Sequence, residues 1–142
     1  MRKTIRPCVA AWLLLSTLLT AAQTSLTYNV KSPTILAFFT PASHSEPKET
    51  GTDEAEALAD FEVYGQRVLK PLAEMGVDYK EVRASGFVVR IGNATTNFRP
   101  TEGVGYYFVA PGKKPRIEYG VMTDDDLLQV AQNYFGVKEK HQ

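Results

Sequence analysis

The sequence predicts an α/β domain with a mixed central sheet flanked by helices, and three observations predict it. Thr34 to Thr40 is a continuous apolar run of strand length, as expected of a strand covered on both faces, with helices packed on each side of the sheet. A long amphipathic helix follows this run. The chain then closes with a β-hairpin and a second helix. An extra β-hairpin is predicted around residues 87-98.

The first 22 residues have the pattern of a signal peptide. A basic leader precedes an apolar run that is shorter than the ~20 residues of a membrane-spanning helix. Small residues at Thr20 and Ala22 predict cleavage after Ala22, and an uncleaved membrane anchor is the alternative. We therefore expect residues 1-22 to be a signal peptide, 23-137 a single domain and 138-142 a flexible tail. The protein is expected to be exported, periplasmic or extracellular, with no stable membrane insertion after cleavage.

Charge and cysteine content exclude several classes of function. The chain has 16 basic and 16 acidic residues, and the leader holds three of the basic ones, so the mature chain has a net charge of about −3. This charge gives no reason to expect nucleic acid or anionic lipid as a partner. Cys8 is the only cysteine and leaves with the leader. The mature chain therefore has neither disulfides nor the thiolate that dithiol redox catalysis requires.

The first half of the domain reads as two strands and a helix. Leu26 to Val30 predicts a short strand before the apolar run. Thr52 is a candidate N-cap, and acidic residues in the following turn complement the helix dipole. Gly76 ends the helix, and Pro71 inside it is expected to bend the axis. One apolar stripe is predicted along the helix: Leu58, Phe61, Gly65, Val68, Leu72 and Met75.

The next segments read as strands and hairpins. Val77 to Arg83 alternates as a half-buried strand does. Gly86 to Pro100 predicts two short strands around the turn pair Gly92-Asn93. Val104 to Val121 predicts another hairpin.

The last helix is predicted between a cap at Thr123 and a stop at Gly136, with three aspartates complementing its start. The aromatic residues of the preceding hairpin fit strand packing better than a ligand platform. These are Tyr106, Tyr107 and Phe108.

Three segments resemble the thioredoxin-like fold superfamily over roughly residues 26 to 136. "TILAFFTPAS" is similar to the central strand that leads into the family's active-site turn. "VLKPLAEMG" is similar to the family's second helix, whose kinking proline corresponds to Pro71. "VGYYFVAPGKKPRIEYGVMTDDDLLQVAQNYF" resembles the closing hairpin and last helix. The resemblance implies that the loop after the central strand and the loop before the penultimate strand lie side by side and form a peptide-facing groove.

The redox motif of that family is missing here. The alignment puts Ser43 at the first cysteine of the Cys-x-x-Cys pair and Glu46 near the second. The place of the family's cis-proline falls near Gly103, three residues after Pro100. The hairpin around residues 87-98 also stands where the family usually has a helix. The resemblance thus implies a member without thiol chemistry.

The expected function is that of a protein- or peptide-binding or folding-assistance module of the cell envelope, with no catalytic residues and no cofactor. Its groove is expected to be lined by Ser43, His44, Ser45, Thr101, Glu102 and Gly103. One alternative is a non-thiol enzyme that uses the Ser43-His44-Ser45 loop, with His44 as acid or base. Another is a purely structural envelope component.

A metal site is not expected. His44 with the carboxylates of Glu46, Glu49 and Asp53 is a poor zinc set, because zinc sites gather three or four ligands rich in nitrogen or sulfur.

Overall fold

The computed structural model describes residues 26–40 and 51–136, with the side chains of residues 51 and 52 excepted. Within these ranges the chain forms seven strands and two helices. In chain order they are β1 (Thr27–Asn29), β2 (Thr34–Phe39), α1 (Gly51–Glu74), β3 (Asp78–Val82), β4 (Phe87–Ile91), β5 (Ala94–Phe98), β6 (Val104–Val109), β7 (Arg116–Tyr119) and α2 (Asp124–Phe135).

The strands form two mixed sheets. The larger sheet has the order β3-β2-β6-β7, with β2 and β3 parallel and the other neighbours antiparallel. The smaller sheet has the order β1-β4-β5, in which β1 and β4 are parallel and β4 and β5 antiparallel. The predicted α/β class and the extra hairpin are both confirmed.

Strand β2 lies at the centre of the larger sheet and is buried along its whole length. Because successive side chains of a strand point to opposite faces, Ile35, Ala37 and Phe39 enter one core and Leu36 and Phe38 enter another. The continuous apolar run is therefore explained as predicted, by cover on both faces.

Both helices pack against the same face of the larger sheet. Phe61, Val68 and Leu72 of α1 and Leu127 and Ala131 of α2 belong to the core that contains Ile35 and its neighbours. The prediction of helices on each side of the sheet is thus wrong.

The other face is covered by the smaller sheet. Phe87 and Val89 of β4 and Phe98 of β5 pack there against Phe38 and Tyr107, with ring centroids 5.6 Å apart for Phe38–Phe98 and 4.8 Å for Phe98–Tyr107. The alternating apolar residues of β4 give the hairpin one apolar face. The hairpin packs this face against the larger sheet, in the place where a helix was predicted.

Helix α1 runs through its internal proline. It starts at Gly51, one residue before the predicted cap Thr52, and continues past Pro71 to Glu74. Gly65, one residue of the predicted stripe, lies against the Tyr79 side chain of β3. A Cβ built on Gly65 would be 3.0 Å from the Tyr79 hydroxyl. No helix in the described ranges is long and apolar enough to cross a membrane.

Helix α2 has both predicted ends. The Thr123 hydroxyl accepts a hydrogen bond from the Asp126 amide at 3.2 Å, and Gly136 ends the helix in the left-handed conformation with φ of 68°. The three predicted packing residues of β6 are buried: Tyr106, Tyr107 and Phe108.

Candidate functional site

The six predicted groove residues fall into two groups. Thr101, Glu102 and Gly103 form the exposed loop between β5 and β6. Ser43, His44 and Ser45, the residues that stand at the place of the family's redox turn, lie outside the described residues, as do Glu46 and Glu49.

Thr101, Glu102 and Gly103 line a pocket of about 620 Å³. The pocket lies where the end of β2, the first turns of α1, the loop after β3 and the loop before β6 meet. Its other described lining residues are Phe39, Thr40, Asp53, Glu54, Ala57, Ser85, Pro100 and Val104.

Close backbone packing brings two of these segments together. The Thr40 amide donates a hydrogen bond to the Gly103 carbonyl at 2.6 Å, one position beyond the last pair of the β2–β6 ladder. A Cβ on Gly103 would lie 2.9 Å from the Thr40 carbonyl oxygen, closer than real Cβ atoms approach. Glycine at 103 therefore allows the loop to run directly beside the end of β2.

Two further hydrogen bonds fix the pocket walls. The Thr40 hydroxyl donates to the Ala84 carbonyl at 3.0 Å, which ties the end of β2 to the loop that carries Ser85. The Thr101 amide donates to the Tyr119 hydroxyl at 3.2 Å, which ties the β5–β6 loop to β7. Glu102, in contrast, makes no hydrogen bond to another described residue through its backbone or side chain.

The lining combines an apolar floor with carboxylates. Phe39 is 5% exposed and belongs to the core between the helices and the larger sheet, and Ala57 and Val104 pack against that core. Asp53 and Glu54 come from the first turn of α1, and Glu102 comes from the opposite loop. The described lining contains no lysine, arginine or histidine.

The pocket-lining residue Phe39 also contacts a strongly anchored cation, Arg83, which directly follows β3. Its Nη2 lies 2.9 Å from Glu62 Oε1 and 3.2 Å from Glu81 Oε2. Its guanidinium carbon also lies over two rings, 5.7 Å from the Phe39 centroid and 5.5 Å from the Phe61 centroid. Two carboxylates thus already neutralise Arg83.

A second pocket of about 670 Å³ adjoins the first, and Ser85 lines both. It lies at the end of the smaller sheet, where Leu26, Asn97 and Arg99 contribute to its lining together with Arg83. The two pockets have opposite charged groups, carboxylates in the first and guanidinium groups in the second.

No group of three or more histidine, cysteine and carboxylate side chains in residues 26–40 and 51–136 is placed to hold a metal ion. The shifted pKa values in these ranges belong to tyrosines, whose pKa values burial raises, and the largest shift is that of Tyr79. Tyr79 is absent from the lining of the pocket.

Sequence reasoning missed several pocket residues. Asp53 and Glu54 were interpreted as complementing the helix dipole, and Asp53 also as part of a poor zinc set, while Ser85 and Ala57 were assigned no site role. One signal was available, because the first turn of a helix that follows a central strand lies near the end of that strand. Ser85 gave no such signal.

Comparison with known proteins finds no relative of this chain. No protein-family model, no curated protein and no solved structure matches this chain.

Proposed function

We propose that this protein is an exported, thioredoxin-like binding module without thiol chemistry, which holds a peptide or a protein segment at the pocket between β2, α1 and the β5–β6 loop. The observation that carries the proposal is this pocket of about 620 Å³, which contains the three described residues of the expected groove, Thr101, Glu102 and Gly103.

The order of elements supports the thioredoxin-like assignment. Strands β1 and β2, the proline-containing helix α1, strand β3, the hairpin β6–β7 and the terminal helix α2 follow in the order of the resemblance. The β4–β5 hairpin is the departure, and it covers the sheet face opposite the helices.

The meeting of two loops supports the location of the site. The resemblance places a peptide-facing groove between the loop after the central strand and the loop before the penultimate strand. Here the Thr40 amide donates to the Gly103 carbonyl across this junction. The backbone amide and carbonyl of Glu102 have no partner among the described residues, so an extended peptide can pair with them.

The chemistry of the lining supports binding rather than catalysis. The described wall has a carboxylate set and an apolar floor but no thiol, and the single cysteine of the chain is Cys8. An apolar surface with a few polar groups is the usual make-up of a ligand pocket.

The test is to block the pocket mouth. Thr101→Trp places a large ring at the mouth, and Thr101 is exposed, so the fold is expected to survive. Thr96→Trp makes the same change at an exposed position of β5, outside the pocket lining. Both variants and the wild-type chain would be panned against a random peptide library displayed on phage.

The proposal predicts peptides that bind the wild-type chain and the Thr96→Trp variant and lose at least about tenfold in affinity for Thr101→Trp. Equal binding by all three proteins would show that the peptides bind elsewhere on the protein. Failure to select any peptide would contradict the peptide-binding function.

A further inference from the structure

We infer that the pocket selects a basic side chain, so that the bound segment places a lysine or arginine between Asp53 and Glu102. The inference rests on the proposed binding function and adds the chemical class of the residue that the pocket recognises.

The pocket floor fits the stem of such a side chain. Lysine and arginine have long aliphatic stems that pack on apolar surfaces while the charged end stays near water. Phe39, Ala57, Pro100 and Val104 provide such a surface in the described lining. Only 5% of Phe39 is exposed, so this part of the floor is continuous with the packed core.

The charge of the lining fits the end of the same side chain. Asp53 and Glu102 bring carboxylates to the pocket from two separate segments, and the described lining contains no basic residue. Asp53 and Glu102 are exposed, so their carboxylates are in position to meet an incoming cation. The nearby Arg83 is held by Glu62 and Glu81.

Helix capping does not account for this set. A negative charge in the first turn of α1 stabilises the helix, which is a sufficient reason for Asp53 and Glu54. Glu102 lies on the loop before β6, outside any helix, and forms no hydrogen bond or ion pair with another described residue. Its carboxylate adds to the negative charge of the pocket and has no basic partner among the described residues, and a cationic ligand supplies such a partner.

The adjoining pocket favours a peptide over a free amine. Arg99 lines the second pocket and forms no ion pair with another described residue. Because Ser85 borders both pockets, a peptide that enters the first pocket with a basic side chain can continue past Ser85 toward Arg99. An acidic residue next to the basic one fits this path.

The experiment compares short blocked peptides that differ at one central residue: lysine, arginine, norleucine or glutamate. Norleucine keeps the four-carbon stem of lysine and lacks only its ammonium group. Binding to the full chain would be measured by fluorescence polarisation at about 50 mM and about 500 mM salt, because exposed ion pairs are screened at the higher concentration. Loss of binding to the Thr101→Trp variant shows that a peptide binds in this pocket.

We expect the lysine and arginine peptides to bind about fivefold tighter than the norleucine peptide at low salt, and the glutamate peptide to bind most weakly. Asp53→Asn combined with Glu102→Gln is expected to reduce the preference for lysine to less than about twofold. Asp60→Asn combined with Glu74→Gln removes the same charges from exposed positions of α1 outside the pocket, and should leave the preference intact.

The outcomes separate the two proposals. Equal affinity for the lysine and norleucine peptides, lost in both cases by Thr101→Trp, would overturn the basic-residue inference and leave the binding function in place. A preference for lysine that both double variants lose equally would show a general charge effect and would also overturn the inference. No binding by any of the four peptides would overturn the inference together with the function on which it rests.

Discussion

Among the described residues, Tyr79 has the most strongly shifted pKa. It lies on β3 with its hydroxyl buried against α1, where a Cβ at Gly65 would be 3.0 Å away. Within the described residues this hydroxyl has no hydrogen-bond partner. Burial raises the pKa of Tyr79 well above its ordinary value of 10.0, Tyr106 and Glu81 add to the shift, and Arg83 opposes it. The ring therefore stabilises the core while its hydroxyl costs free energy.

Tyr79→Phe is expected to raise the free energy of unfolding by about 1 kcal/mol at pH 7, because it removes a buried hydroxyl that forms no hydrogen bond. It should also weaken the alkaline loss of stability. Above pH 10 the unfolded tyrosine ionises while the folded one keeps its proton, so stability falls as the pH rises.

Urea unfolding of Tyr79→Phe and of Tyr64→Phe at about pH 7 and about pH 11 measures both effects. Tyr64→Phe is the control, because it removes the same hydroxyl group from a half-buried tyrosine of α1. A Tyr79→Phe variant that is less stable at pH 7, or that loses as much stability at pH 11 as the wild type, would contradict this account of Tyr79.

At the scale of elements, the β4–β5 hairpin is the feature that distinguishes the fold. Its two-residue loop is Gly92-Asn93, and Gly92 has φ of 57° while Asn93 has a negative φ. A positive φ at the first loop residue alone is the type II′ pattern, which matches the twist of the two strands. The hairpin in turn supplies Phe87, Val89 and Phe98 to the core beneath it.

Gly92→Ala is expected to lower the free energy of unfolding by about 1–2 kcal/mol, since a residue with a Cβ is strained at positive φ. Asn93→Ala, at the neighbouring position with negative φ, should cost less than half as much. Chemical denaturation compares the two variants. Equal losses would mean that the loop conformation contributes little to holding the smaller sheet in place.

Local sequence signals predicted most elements well. The apolar stripe of α1, the Thr123 cap and Gly136 stop of α2, and the Gly92-Asn93 turn are each set by residues close in sequence. The pairing of β1 with β4 was not predicted. It is a parallel pairing between distant segments, and nothing in the residues of β1 identifies the strand that they will meet.

At the scale of the whole molecule, the candidate site exists only because distant segments meet. Its walls come from the end of β2, the start of α1, the loop after β3 and the loop before β6. The Thr101 to Gly103 loop was reached through a family resemblance, which pointed to a place in the fold. Whether Ser85 and Asp53 line the pocket depends on how the layers of the fold pack. The composition of the segments that contain them does not predict this packing.

Amide chemical-shift mapping would show residue by residue whether a peptide binds in this pocket. The ¹⁵N-labelled chain would be titrated with the blocked lysine peptide. We expect the largest shift changes on the pocket walls, at Thr40, Ser85, Thr101, Glu102 and Val104. Changes concentrated on the exposed β5 strand or on α2, or no changes at all, would contradict this expectation.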